Sequence, residues 1–241
     1  MTTPLLETRN LGKRFRGLVA NSGIDFTLSS GSSHCIIGPN GAGKTTFLSM
    51  ISGHLVPTEG EIRYRDKDVT RRSVVYRARH GIARKFQTPS VFPELTVWQN
   101  MELPAMRVEH RRKAVDARVQ RVLDRVRLWE HRQVVADHLS HGQRQWLEVG
   151  MLVAMNAQLL LLDEPAAGMT KEEKAATAEL VHELVGELGL ATIVIEHDMD
   201  FVRLLDTRVT VLHMGSVLTE GVFDDVANDE RVRDVYLGNQ L

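Results

Sequence analysis

The sequence predicts an α/β fold with a mostly parallel sheet, an antiparallel β portion near the N-terminus and an inserted α-helical subdomain. Three observations predict it. Two uninterrupted apolar runs, Leu159-Leu-Leu-Leu162 and Ala191-Thr-Ile-Val-Ile195, suit parallel strands buried on both faces. Helical patterns alternate with them, which is how a parallel sheet acquires its cover. A third run, Ser33-His-Cys-Ile-Ile37, ends at a glycine-rich loop that opens into another helical pattern.

The elements follow in chain order. Residues 24–28 alternate apolar and polar, as a half-buried strand does, and 33–37 form the next strand. Residues 45–51 read as a helix stopped by Gly53. Residues 61–65 are a further strand, closed by the turn Asp66-Lys67-Asp68. After Phe92 the composition shifts. Residues 107–132 are rich in Arg and Glu, and Val115, Val119, Val122, Val126 and Trp129 fall on one helical stripe. Helices are expected at 146–156, 175–188 and 201–205, and a hairpin of 208–213 with 217–220 turns at Gly215-Ser216.

Composition bounds the function. The chain has 241 residues, enough for a substantial core, with 30 basic against 31 acidic residues and a net charge of −1. No global field points to nucleic acid, and the arginines of 107–132 are interspersed with Glu109, Asp116, Asp124 and Glu130 as on a mixed solvated surface. No run approaches the roughly 18 apolar residues of a membrane helix. The start reads as no signal peptide, and the single cysteine, Cys35, fits a reducing cytosol. A role at a membrane therefore requires partners that span it.

The chemistry concentrates in two motifs. Gly38, Pro39, Asn40, Gly41, Ala42, Gly43, Lys44 and Thr45 satisfy G-x-x-x-x-G-K-[ST] between a strand and a helix, with Thr46 following. Such glycines let successive backbone N–H groups converge on phosphate oxygens. Lys44 adds a charge for the β- and γ-phosphates, and Thr45 offers a hydroxyl to Mg²⁺ at a helix N-terminus. The run 159–162 delivers Asp163 and Glu164 to the carboxyl end of a buried strand, where ligands of open α/β sheets bind. Asp163 is placed to hold Mg²⁺ through water and Glu164 to polarise an attacking water. Taken alone, that run reads equally well as a core strand reaching the surface.

Leu139-Ser-His-Gly-Gln143 adds a third element, between the phosphate loop and the acidic strand. Here the chain resembles the ABC ATPase family, whose signature is Leu-Ser-Gly-Gly-Gln, and the resemblance covers essentially the whole chain. It implies one domain over residues 1–241. A P-loop NTPase (RecA-like) nucleotide-binding core takes 1–88 and 145–241, and a helical subdomain with the signature takes 89–144. Gln87 matches the family's Q-loop, His197 its switch histidine, and Phe15 the aromatic that stacks on adenine. The resemblance further implies that two ATPase subunits sandwich two ATP molecules. Ser140, Gly142 and Gln143 of one subunit then face the nucleotide of the other. Glu164 is the implied general base, His197 holds the γ-phosphate, and Gln87 senses Mg²⁺ and water. Two residues depart from the pattern: His141 replaces the first signature glycine, and Thr170 stands where the D-loop usually carries an acid.

Within the family, four stretches resemble the ATPase subunits of urea importers: residues 139–148, 164–172, 196–202 and 235–238. The branched-chain amino acid importer ATPase is the alternative, and a non-transport ABC ATPase a remote one, since the chain has neither sustained heptads nor a second ATPase domain. The resemblance implies two membrane-spanning permease subunits, a second ATPase subunit in a heterodimer or homodimer, an extracytoplasmic solute-binding protein, and a place on the cytoplasmic face of the membrane. Nucleic acid is not an implied partner. The uncharged loop Thr88-Pro-Ser-Val-Phe-Pro93 reads as a permease-facing surface.

Overall fold

A computed structural model describes residues 4–85 and 91–237. Among these residues, two sheets frame the molecule. β1 (Leu6–Phe15), β2 (Leu18–Leu28), β4 (Glu59–Tyr64) and β5 (Lys67–Asp68) form an antiparallel sheet in the order β2-β1-β4-β5. The second sheet contains β3 (Ser33–Ile37), β6 (Ile82–Lys85), β7 (Leu159–Asp163), β8 (Ala191–Ile195), β9 (Arg208–His213) and β10 (Ser216–Gly221). Its order is β10-β9-β3-β8-β7-β6, parallel throughout except for β10, which returns antiparallel along β9.

Every residue of β7 and β8 is buried, as their apolar runs require. α1 (Lys44–Ser52) fills the space between the sheets, burying Phe47, Leu48, Met50 and Ile51 against Ile24, Phe26 and Ile62. Each such side chain stabilises the fold by roughly 1.5–3 kcal/mol. The carbonyls of Met50 and Ile51 at the end of α1 accept from the buried Arg77 guanidinium at 2.6 Å each, which ties α2 (Val74–Arg79) to that helix. His34 lies inside the fold on Thr210 Oγ1 at 2.7 Å, and burial lowers its pKa to about 4. Cys35 is fully buried, a small core hydrophobe.

A second core gathers α3 (Val97–Met106), α4 (Arg112–Arg125), α5 (His141–Ala154) and α6 (Lys171–Gly186) against the other face of the parallel sheet, with α7 (Met199–Leu205), α8 (Phe223–Asn228) and α9 (Glu230–Leu237) further along. The stripe expected over 115–129 is divided. Val115, Val119 and Val122 face the core from α4, Val126 caps that helix, and Trp129 starts a separate 3₁₀ turn. The break falls at Arg127, whose φ of 58° no α-helix accommodates. Two helices begin earlier than their apolar patterns suggest. α5 starts at His141 rather than 146 because Ser140 and Gln143 close a capping box, and α6 starts at Lys171 rather than 175 because Thr170 and Glu173 close another. Each cap contributes about 1 kcal/mol.

Candidate functional site

The glycine-rich loop joins β3 to α1, and sterics dictate its residues. A Cβ on Gly38, at φ 148°, would stand 2.1 Å from the Leu212 carbonyl, and one on Gly43, at φ 98°, 2.4 Å from the Ala20 carbonyl. Larger residues would force the loop off both neighbours. Lys44 is buried, its Nζ donating to the carbonyls of Gly38 at 2.6 Å and Pro39 at 3.0 Å, so the ammonium lies inside the loop. Burial lowers its pKa, with Glu164 and Asp163 pulling the other way. Residues 40–46 line a cavity of about 370 Å³ together with Phe15, Leu18, Val19, Ala20, Glu164 and Ile195. Phe15 stands 40% exposed with Lys13 Nζ 5.2 Å from its ring centroid, an open aromatic face at the rim.

The acidic pair ends β7. Asp163 is buried, its Oδ2 accepting from Arg84 Nη2 at 3.0 Å. Burial raises its pKa, against the Arg84 cation. Asp163 Oδ1 is buried with no hydrogen-bond partner among the described residues, an acceptor suited to a water of a hydrated divalent cation, and the Thr45 side chain opens on the neighbouring cavity. These oxygen donors fit Mg²⁺. Glu164 has φ 49°, a conformation unusual for a side chain that is not glycine, and Oε1 lies 3.4 Å from His197 Nδ1. The structure therefore pairs the acid that follows one buried strand with the histidine that follows the next.

Sequence reasoning missed the two groups that hold this pair. Glu196 is buried, and its Oε1 accepts from Ala166 N at 3.0 Å while Oε2 accepts from His197 N at 3.2 Å. One carboxylate thus fixes the loops after β7 and β8, and burial raises its pKa. Arg84 is the second. The signal for it was a cation in the strand that precedes the Q-loop, but nothing local in the sequence connects it to Asp163.

Ser140, Gly142 and Gln143 line no part of the phosphate-loop cavity. They form the start of α5, facing the loop at 166–170. Ser140 Oγ accepts from Gln143 N at 3.2 Å and donates to Glu173 Oε1 at 3.3 Å. A Cβ on Gly142 would stand 2.7 Å from Glu173 Oε1. His141 Nε2 lies 2.9 Å from the Ala167 carbonyl, and Thr170, the D-loop departure, serves as N-cap of α6. Gln87 lies outside the described residues, as do residues 88–90 of the loop read as a permease surface.

The ABC transporter family model matches residues 21–167. The "Probable branched-chain amino acid transport ATP-binding protein LivG" of Archaeoglobus fulgidus is 33% identical over 248 residues, covering 98% of this chain and 96% of the relative. The "High-affinity branched-chain amino acid transport ATP-binding protein LivG" of Escherichia coli strain K12 is 32% identical over 253 residues, covering 99% of both. Among solved structures, an ATP-binding cassette of an ABC transporter superposes with a TM-score of 0.88 at 28% identity, over 98% of this chain and 99% of that one.

The chain belongs to the ABC transporter ATP-binding family. It is an ATPase that binds ATP with Mg²⁺ and hydrolyses it in the service of transport. None of the helices among the described residues is long and apolar enough to cross a membrane.

Proposed function

We propose that this chain powers the import of urea through two membrane-spanning permease subunits, docked on their cytoplasmic side beside a second ATPase subunit and supplied by an extracytoplasmic solute-binding protein. The supporting observation is the wording of residues 139–148 and 164–172, which resembles urea-importer ATPases and occupies two segments that touch through His141 and the Ala167 carbonyl. An ATPase never contacts its cargo. Its partner-facing surfaces go with particular permeases, and permeases go with solutes. Import of branched-chain amino acids is the second reading, favoured by the names of the relatives above.

In this reading ATP lies in the cavity with adenine on Phe15 and its phosphates against Gly38, Pro39, Asn40, Gly41, Ala42, Gly43, Lys44, Thr45 and Thr46. Thr45, Asp163 and Gln87 would hold Mg²⁺, which would supply positive charge against the triphosphate. Glu164 takes a proton from water as the water oxygen bonds to the γ-phosphorus and the bond to the β-phosphate oxygen breaks. His197 steadies the γ-phosphate and is itself aligned by Glu164 at 3.4 Å. Catalysis consists of positioning and charge stabilisation. Ser140, Gly142 and Gln143 complete the partner subunit's site. The core is 1–88 and 145–241, and 89–144 is the helical subdomain. The test is uptake by a deletion strain. Loss of labelled urea uptake at low external concentration, with leucine uptake intact, is the expected result. Loss of leucine uptake with urea uptake intact overturns the cargo and leaves the ATPase chemistry standing.

A further inference from the structure

His141 occupies the first helical position of α5, where the family signature has glycine, and its ring makes a contact no glycine can. Nε2 lies 2.9 Å from the Ala167 carbonyl, and a Cβ added at Gly168 would stand 3.6 Å from the ring. A carbonyl only accepts, so Nε2 carries the proton and the imidazole donates. One turn along α5, the Gln145 amide nitrogen lies 3.3 Å from the same Nε2, while Gln145 Oε1 is buried without a hydrogen-bond partner. Two donors do not face each other. Turning the amide over presents Oε1 to the ring, so the single Nε2–H is shared between the Ala167 carbonyl and Gln145 as a three-centre bond. Two further links run from α5 to α6. Ser140 Oγ donates to Glu173 Oε1 at 3.3 Å, and Trp146 Nε1 donates to Thr177 Oγ1 at 2.9 Å, which lies 3.2 Å from Met169 Sδ. Of these links, the imidazole is the one that reaches the backbone of the loop between β7 and α6.

We propose that His141 is a positioning residue that ties the signature turn to the 166–170 loop of its own subunit, so that both meet the partner subunit as one rigid block. The proposal rests on the reading that Ser140 and Gly142 serve the partner's nucleotide. A glycine at 141 removes the one of these links that reaches the loop backbone and leaves Ser140–Glu173 and Trp146–Thr177 to act through α6. The histidine makes the angle between them a property of the subunit.

The test compares His141→Ala with His141→Gln, whose amide nitrogen reaches the place of Nε2. In the isolated chain, the amides of Ala167 and Met169 donate to Glu164 and Ala166 and report on the loop. Hydrogen exchange at these amides should accelerate about threefold to tenfold in His141→Ala, the range for losing one hydrogen bond. Amides of β3 and β8 should not change, and His141→Gln should restore protection. In the assembled complex, kcat for ATP should fall in His141→Ala with KM unchanged, and His141→Gln should recover it. Unchanged exchange in His141→Ala overturns the tie. Failure of His141→Gln to restore it assigns the effect to ring bulk and overturns the hydrogen-bond account. Faster exchange with unaltered kcat overturns the positioning role, while turnover of Ser140→Arg tests separately whether the signature acts at the partner's nucleotide.

Discussion

Replacing Arg84 with Met removes the cation from a buried pair while keeping most of the side-chain stem. Arg84 and Asp163 are 6% and 2% exposed and meet at 3.0 Å, and Arg84 also donates to Ser49 Oγ at 2.8 Å. Breaking such a pair from one side leaves a buried carboxylate uncompensated, which costs about 3–5 kcal/mol. For a chain of this length each kcal/mol moves Tm by roughly 2–4 °C, so Arg84→Met should melt about 10 °C lower at neutral pH. The pH dependence carries the argument. Burial already raises the Asp163 pKa against the pull of Arg84, and without the cation it rises further. A carboxyl whose pKa is higher folded than unfolded adds stability below its unfolded value and loses it as pH climbs through the folded one. The deficit of the variant is therefore full at neutral pH and narrows as pH falls toward about 4, where the unfolded carboxyl also protonates. Adding Asp163→Asn should recover most of the loss at neutral pH. Thermal unfolding followed by circular dichroism between pH 4 and 8 makes the measurement. A deficit that is independent of pH and survives Asp163→Asn would refute the charge argument in favour of packing.

Glu164→Gln should retain ATP affinity while turnover in the assembled complex falls about 10²-fold or more, the scale of losing a general base, and near-normal turnover removes Glu164 from the mechanism. Ser140→Arg should leave ATP binding by the isolated chain nearly intact, since Ser140 lines no part of its own cavity, and should lower turnover in the complex; loss of binding by the folded monomer contradicts the cross-subunit role. Phe92 is 50% exposed on a loop whose backbone is clamped by Asn100, so Phe92→Glu should preserve the loop and ATP binding while weakening co-purification with the permease; unchanged co-purification argues against docking there.

The parts of the fold legible in the sequence were those with strong local signals. β3, β7 and β8 are apolar runs bounded by glycine or charge, and the phosphate loop is a spacing of residue types. β6 was missed because Ile82-Ala-Arg-Lys85 places two cations side by side, which reads as solvent-exposed chain. In the fold Arg84 meets Asp163, 79 residues away, and Lys85 meets Glu148, both buried. α3 was missed as well, with Pro104 inside it and a polar partner, Asn100, turned inward. The early starts of α5 and α6 were written in the sequence as Ser140-x-x-Gln143 and Thr170-x-x-Glu173, signals that periodicity does not register. The same caps explain how Thr170 departs from the D-loop pattern while keeping a structural task. Within the site, Glu164 came from the acidic end of a buried run and His197 from the family resemblance, but Glu196, the group that registers them, has no local signature. Its partner Ala166 lies 30 residues away.

Glu196 gives the site a single datum point. Because one carboxylate receives the backbone amides of Ala166 and His197, the loops carrying Glu164 and His197 are measured from a shared mark rather than from each other. A disturbance that shifts this mark moves both side chains in concert. Their mutual spacing then survives while their aim at the nucleotide drifts, as a pair of instruments bolted to one bench stays aligned when the bench is pushed. Damage near Glu196 should consequently look unlike damage to either loop tip. Where both amide bonds to the carboxylate persist, it should leave the acid and histidine in register and slow hydrolysis through misdirection, whereas loss of the carboxylate itself releases the two loops from each other.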